Sequence, residues 1–248
     1  MLFACSLRGI IRGLKRAYPL SLTFAMEIFM SKIVPFPGRR DFLKASAALT
    51  TGIGGLTLSP RGNAASEDTE LCIVGPKKGF TPQVGTLVSE MAFMRDQVLR
   101  SVKGMSQQDL DFLLDAKANR VGALLLHLAA VEKFYQLNTF DGFANGKIPE
   151  AWKEKWAMPM ELGDPARKEI VGKSLDYYVN ILNDTREQTL AEFRKRDDAW
   201  LASVDKTWGW GPTNNYCKWF HVTEHEANHN GQIKFLKSRF PGAKPSSE

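Results

Sequence analysis

Four long segments of the sequence are typical of α-helices, and this pattern limits the fold more than any other feature. Apolar side chains recur every three or four residues in the segments 82–103, 119–137 and 165–195, and a fourth helix is expected over 213–240. Such a period predicts amphipathic helices that each bury one face. The sequence shows neither an alternating run typical of a β-strand nor an internal repeat. We therefore expect an all-α protein built as a four-helix bundle.

Residues that start and stop helices separate these segments. Thr81-Pro82 predicts the beginning of the first helix and Asp164-Pro165 that of the third, whereas Pro241-Gly242 predicts the end of the last. The segment 138–163 has no sustained period and contains several breaking residues. We expect it to form the long crossover connection of the bundle, with one short helix at 150–156.

Charge is distributed unevenly along the chain. Residues 1–65 contain nine Lys and Arg against two Asp and Glu, whereas residues 66–248 contain 24 against 25. The basic excess therefore belongs to the N-terminal part. The near-neutral remainder offers no basic surface for a polyanion, so nucleic acid is not expected as a partner.

The N-terminal part resembles a bacterial twin-arginine signal peptide. Arg39-Arg40 precedes Phe42-Leu43-Lys44, then a mildly apolar run at 45–58 and small residues at Ala64-Ala65. The run of about 14 residues is shorter than the roughly 20 needed to span a bilayer, so no stable membrane anchor is expected. We expect cleavage after Ala64 or Ala65, and delivery by the twin-arginine export machinery to the periplasm or the medium.

Residues before Met30 add nothing to such a signal, which predicts that translation begins at Met30; a membrane-associated extension is the alternative.

Cys72 and Cys217 are the two cysteines after the signal, and their positions predict unpaired thiols. The expected parts of the chain are a leader at 1–65, a linker at 66–80, the bundle at 81–241 and a tail at 242–248.

All four histidines lie in predicted helices. His127 is embedded in an apolar stretch of the second helix, and His221, His225 and His229 follow one another at intervals of four in the last. Histidines at i and i+4 share a helix face and can bind one metal ion, with a third from a facing helix. His221 and His229 are roughly 12 Å apart along the axis, so one ion cannot take both. The spacing allows either neighbouring pair, and the alternative to a metal site is a solvated polar face.

Two motifs resemble the DinB-like (DinB/YfiT-like) family. The segment 221–233, HVTEHEANHNGQI, is similar to the family's last-helix motif, and the segment 121–132, VGALLLHLAAVE, is similar to its second-helix motif. The resemblance extends over roughly residues 81–240. It implies a four-helix bundle and a divalent metal ion, commonly zinc or nickel, bound by three histidines. Because the family pattern places Gly-Gln-Ile after the last ligand, the ligands it implies are His127, His225 and His229.

The resemblance leaves other polar and aromatic residues to be assigned. His221 lies outside the implied ligand set and is a candidate catalytic residue near a bound water or substrate. Glu132 and Glu224 are candidates to orient a ligand ring or to act as a general base, although each can equally be a surface carboxylate. Trp208 and Trp210 precede the last helix. They could wall the mouth of the site or cap the end of the bundle, and we favour the second interpretation.

The family includes thiol S-transferases that use mycothiol, bacillithiol or glutathione, and a maleylpyruvate isomerase. The resemblance thus implies a metal-dependent enzyme of hydrolase or thiol S-transferase type that acts on a small molecule. Export weakens the S-transferase interpretation, because such thiols are scarcer outside the cytoplasm. The alternative is a non-catalytic, exported metal-binding or stress-related bundle. A homodimer is compatible with the sequence.

Overall fold

The computed structural model describes residues 70–143 and 147–244, and the signal-like leader lies outside these ranges. Eight helices and two short strands lie between residues 82 and 237. In chain order they are α1 Pro82–Val102, α2 Gln107–Leu110, α3 Val121–Thr139, α4 Glu150–Glu161, α5 Gly163–Glu169, α6 Leu175–Phe193, α7 Asp198–Ala202, β1 Val204–Asp205, β2 Thr213–Asn214 and α8 Asn215–Lys237.

The four long helices α1, α3, α6 and α8 form the predicted bundle. Helix α3 packs between α6 and α8, and α1 packs against α8 and, less extensively, against α6. Helix α4 covers the outer side of α3. The all-α, four-helix prediction is therefore confirmed. In the part of the chain that the structure describes, no helix is both long enough and apolar enough to cross a membrane.

The predicted third helix is two helices, which corrects the single segment 165–195. The chain leaves helical geometry after α5, and Gly172 has a φ of +75°. Ser174 then begins α6, its hydroxyl accepting a hydrogen bond from the backbone N–H of Tyr177. The apolar period hides this break because Val171 and Leu175 are spaced as though one helix continued.

The crossover connection holds more helix than the sequence predicts. Helix α4 extends to Glu161 and includes Pro159 in its last turn. A proline there lacks an N–H donor, which explains why the sequence indicates an earlier end. The carbonyl groups of a last helical turn have no partner within the helix. The Pro159 carbonyl is therefore free to accept a hydrogen bond from α3.

The segment between α6 and α8 contains a small hairpin that the sequence does not predict. Strands β1 and β2 are antiparallel, and each has two residues, which is too short to show an alternating pattern. The Lys218 ammonium on α8 donates to Asp205 at 2.9 Å and to Asn138 at 2.8 Å. This lysine therefore ties the hairpin to α3 and α8.

The start of α1 is capped from a distance. Thr81 occupies the predicted N-cap position, but its side chain accepts no hydrogen bond from the helix. Its hydroxyl instead donates to Oδ1 of Asp198 at 2.5 Å, and the same oxygen accepts from the backbone N–H groups of Gln83 and Val84. Asp198 on α7 thus satisfies donors that a local cap would otherwise take.

Candidate metal centre

Three of the four histidines meet inside the bundle. His127 comes from α3, and His225 and His229 come from successive turns of α8. Nε2 of His225 lies 2.9 Å from Nε2 of His127 and 3.0 Å from Nε2 of His229. A ligand atom from each ring lies within 4.8 Å of the other two. Of the two pairs that spacing alone allows, the structure brings His225 and His229 to His127, as the family resemblance implied.

The two outer rings are held with their Nδ1 atoms turned away from the group. The Nδ1–H of His127 donates to the Pro159 carbonyl at 2.8 Å, and because a carbonyl only accepts, this nitrogen carries the proton. Nδ1 of His229 faces Oε1 of Gln232 at 3.1 Å. In neutral rings with these tautomers, Nε2 of both His127 and His229 presents a lone pair towards His225.

This donor set fits a cation. A neutral His225 has at most one proton on Nε2, which lies between two accepting nitrogens. In at least one of the two short contacts of His225 Nε2, two nitrogen lone pairs therefore face and repel each other. A divalent ion among the three nitrogens removes that repulsion, and imidazole is a ligand that transition-metal ions accept readily. The residues present could therefore hold such an ion.

Burial keeps these imidazoles neutral. It lowers the pKa of His127 to about 4 and that of His225 to about 3, and neighbouring histidines act in the same direction. Burial also lowers the pKa of His229. Neutral imidazole is the form that binds a metal, so the group needs no proton release to accept one at pH 7.

A cavity of about 250 Å³ opens beside the histidines. Its walls come from α3, the end of α4, the loop between the two strands, and α8. The lining residues are His127, Val131, Phe134, Tyr135, Met160, Trp208, Gly209, Trp210, His221 and His225. Both tryptophans therefore wall the site, which corrects the favoured interpretation that they cap the bundle end. The loop brings them there because the short strands fold it back onto α3 and α8.

His221 lines the cavity one helical turn from His225 and is outside the three-histidine group. Its Nδ1 lies 2.9 Å from the hydroxyl of Tyr135, and its ring packs edge-on against Trp210 at 5.0 Å between centroids. Burial lowers the pKa of His221, and Glu224 partly offsets this. The sequence predicts that His221 lies near the site, but it reveals neither the tyrosine partner nor the tryptophan neighbour of this residue.

The two candidate carboxylates are placed differently from each other. Glu224 has a half-exposed side chain, and its Oε2 lies 3.8 Å from Nε2 of His221, which is too long for a hydrogen bond. It neighbours His221 and orients none of the three rings. The Nδ1 atoms of His127 and His229 contact Pro159 and Gln232, and neither contacts a glutamate as the sequence suggested.

Glu132 is buried elsewhere, which corrects its expected role at the metal. It lies five positions after His127, so its side chain projects about 140° away from that of His127 around α3. Its Oε1 accepts from Arg186 at 2.8 Å and from Thr189 at 2.6 Å, and its Oε2 accepts from Arg95 at 2.9 Å. Fully occupied in this way, its carboxylate orients no ligand and is unavailable as a general base.

Glu132 belongs to a set of four buried charges, here called the ion cluster: Arg95, Glu132, Arg186 and Glu226. Each of the four long helices contributes one member. Arg95 also donates to the Leu182 carbonyl, and Arg186 donates to the Met91 carbonyl. Two members of the ion cluster could have been recognised from the sequence. Arg95 and Arg186 occupy positions in the apolar periods of their helices where an apolar core residue would be expected.

Comparison with known proteins places the chain in a family. The family model described as mycothiol-S-transferase matches residues 86–242, which is more than half of the chain. No curated protein matches the sequence. Among solved structures, a conserved protein from Enterococcus faecalis is 16% identical, with a TM-score of 0.48, over 61% of this chain and 93% of that one. An uncharacterized protein from Clostridium difficile 630 is 14% identical, with a TM-score of 0.49, over 64% of this chain and 97% of that one. The chain belongs to the mycothiol-S-transferase family, within the DinB/YfiT-like superfamily.

Proposed function

We propose that this protein is a metal-dependent enzyme of the thiol S-transferase type, with a zinc or nickel ion bound by His127, His225 and His229. The observation that carries the proposal is the convergence of three imidazoles, two of them buried and one half-buried, beside a cavity that a small molecule can enter. Membership of the mycothiol-S-transferase family supports a thiol as the substrate.

Three protein nitrogens leave a divalent ion with a position for a ligand from outside the protein. When bound, the ion would lower the pKa of a thiol or water there and so supply a nucleophile at neutral pH. The protein's own contribution is to fix the site. Pro159 and Gln232 hold two of the rings by their Nδ1 atoms, and aromatic side chains line the cavity beside them.

His221 is the protein group best placed to contact what binds beside the ion. Its ring lines the cavity, and Tyr135 holds it by a hydrogen bond. In the transfer reaction the S–H bond breaks and its proton passes to solvent. A carbon–sulfur bond forms, and the leaving group departs with its electron pair. His221 contributes by hydrogen-bonding the bound substrate, and Glu224 contributes a nearby negative charge.

The second candidate is a metal-dependent hydrolase, in which water takes the place of the thiol. The observation that favours it is the signal-like segment at 39–44. A protein exported by the twin-arginine route would work where small thiols are scarce, whereas water is always available. The same three histidines would hold the ion in either reaction.

Cobalt substitution tests the proposal directly. Untagged protein loaded with Co²⁺ should change its visible spectrum when a small thiol is added, with a new sulfur-to-cobalt absorption band. The His127→Ala variant treated in the same way should show no such band. Turnover should vanish with a chelator and return with added metal. A cobalt spectrum indifferent to every thiol and to pH would indicate a closed, structural site and would overturn the proposal.

A further inference from the structure

We propose that Tyr135 is a positioning residue that makes His221 a hydrogen-bond donor to the substrate and not a general base. In this arrangement the Tyr135 hydroxyl donates to Nδ1 of His221, and the neutral ring carries its proton on Nε2. The inference rests on the proposed function for its chemical meaning, because it assigns the part that His221 plays beside the ion. The position of the proton itself can be measured without the ion.

The Tyr135 ring is packed on two sides, so its hydroxyl has a fixed position. Tyr135 is 3% exposed, and its ring centroid lies 5.8 Å from that of Trp208 and 6.1 Å from that of Trp219. Nδ1 of His221, at 2.9 Å, is the one hydrogen-bond partner of the hydroxyl in the part of the chain that the structure describes. Tyr135 lies on α3 and His221 on α8, so the packing of these two helices sets the contact.

The direction of this hydrogen bond follows from what the phenol can do with its proton. If Nδ1–H of His221 were the donor, the phenol O–H would have no acceptor among the described residues, and a buried donor without an acceptor is costly. If the phenol donates, its proton and the Nδ1 lone pair are both satisfied. Burial raises the pKa of Tyr135, and Cys217 and Glu224 act in the same direction, so the phenol keeps its proton at neutral pH.

A negative charge beside the other ring nitrogen favours the same arrangement. Oε2 of Glu224 lies 3.8 Å from Nε2 of His221, where it attracts an N–H and repels a lone pair. The Glu224 side chain is half-exposed, so solvent weakens this effect without reversing its sign. A water in the cavity is the competing acceptor for the phenol proton, and the carboxylate beside Nε2 acts against that alternative.

A divalent ion at the three histidines also acts on His221. The ring centroids of His221 and His225 are 5.2 Å apart, so a charge bound by His225 is close to the His221 ring. A general base gains a proton and a positive charge, which a neighbouring cation opposes. His221 lies outside the group of converging nitrogens, so its tautomer is set by its contacts with Tyr135 and Glu224. We therefore expect the same tautomer with and without the ion.

This tautomer limits what His221 can do in the reaction. The phenol occupies the Nδ1 lone pair and Nε2 carries the proton, so the ring has no lone pair that can take a proton from a thiol or water. Nε2 makes no hydrogen bond within the described residues, and it is the nitrogen left to contact a substrate. The substrate atom that bonds to His221 must then be an acceptor, such as the oxygen of a carbonyl or epoxide or the leaving halide of an electrophile.

Nitrogen-15 spectra of the histidine rings measure the tautomer directly. At about pH 8, where imidazole is neutral, Nδ1 of His221 should resonate as a proton-free nitrogen and Nε2 as a protonated one, in metal-free and in zinc-loaded protein alike. Tyr135→Phe should lower the ratio of the Nε2–H to the Nδ1–H tautomer about three- to tenfold, as the loss of one neutral hydrogen bond does. A proton on Nδ1 in the unsubstituted protein, with or without zinc, would overturn the inference even if the variant folds poorly.

Two further variants serve as controls. Tyr177→Phe makes the same change at an exposed tyrosine that does not line the cavity, and it should leave the His221 tautomer unchanged. Glu224→Gln removes the charge beside Nε2 and should lower the tautomer ratio less than Tyr135→Phe does, because that charge is half-exposed. An unchanged ratio in Tyr135→Phe would contradict the role of the phenol. The ring spectra of metal-free protein report on His221, whereas the cobalt experiment reports on the ion, so failure of the inference and failure of the proposed function are distinguishable.

Discussion

Gly122 and Gly231 lie in two of the bundle helices and differ in the space that surrounds the position of a Cβ. A Cβ added at Gly122 would lie 2.7 Å from the hydroxyl oxygen of Tyr178 and within 2.9 Å of its ring. Tyr178 is fully buried and cannot move aside cheaply. A Cβ at Gly231 would meet nothing within 4 Å.

Alanine at these two glycines should have opposite effects on stability. Gly122→Ala should lower the free energy of unfolding by about 1–3 kcal/mol, as overpacking a core does. Gly231→Ala should raise it by about 0.5–1 kcal/mol, because alanine favours the helix. Urea denaturation in excess chelator would measure both without interference from metal binding. A stable Gly122→Ala variant would show that α3 and α6 are packed less closely than described.

At the scale of single residues, a site residue can be predicted from the sequence where its role requires a regular spacing along a helix. It cannot be predicted where its role depends on how two elements pack. The i, i+4 spacing of the histidines on α8 indicated a metal site but allowed two pairs, and it was the family resemblance that implied His225 and His229 together with His127. The contacts of His127 with Pro159 and of His221 with Tyr135 depend on where α4 ends and on how α3 faces α8. Neither relation has a signature along the chain.

At the scale of elements, the ion cluster connects all four long helices. Burial by itself raises the pKa of Glu132, but the guanidinium groups of Arg186 and Arg95 and the Thr189 hydroxyl together lower it to about 2. The carboxyl of the unfolded chain titrates near its ordinary pKa of 4.5. The stabilisation is therefore complete above pH 4.5 and is lost as the pH falls towards 2. In that range the unfolded chain binds a proton that the folded chain does not.

Glu132→Gln should remove this pH dependence. The variant should be less stable than the unsubstituted protein at pH 7, because two buried guanidinium groups lose a charged partner. Between pH 4.5 and 2, however, its free energy of unfolding should fall less steeply than that of the unsubstituted protein. Denaturant titrations of both proteins at several pH values would compare the slopes. Parallel slopes would mean that Glu132 ionises in the folded protein much as it does in the unfolded chain.

The elements were predicted well where a helix is long and poorly where it is short. The four bundle helices are long enough to be recognised, and the apolar period stands out in α1 and α6. The break before α6 was missed because one glycine with positive φ interrupts a period that resumes in phase. The strands at Val204–Asp205 and Thr213–Asn214 are held by packing onto the bundle, which a two-residue pattern cannot reveal.

At the scale of the whole molecule, export is proposed from the leader sequence. The twin-arginine machinery recognises the arginine pair, so replacing Arg39 and Arg40 by lysine should leave the protein in the cytoplasm at unchanged charge. Fractionation of cells that express the two forms would locate them, with the unsubstituted protein found outside the cytoplasm. Unchanged delivery of the lysine form would contradict the twin-arginine assignment.

The central claim is that His127, His225 and His229 hold one divalent ion while His221 serves the ligand beside it. Metal analysis of untagged protein by mass spectrometry tests this most directly, with each histidine changed singly to alanine. We predict about one bound ion per chain for the unsubstituted protein and for His221→Ala, and loss of most metal in the other three variants. His221→Ala is the matched control, since it removes an imidazole from the same cavity. Equal loss in all four variants, or full retention in His225→Ala, would contradict the account.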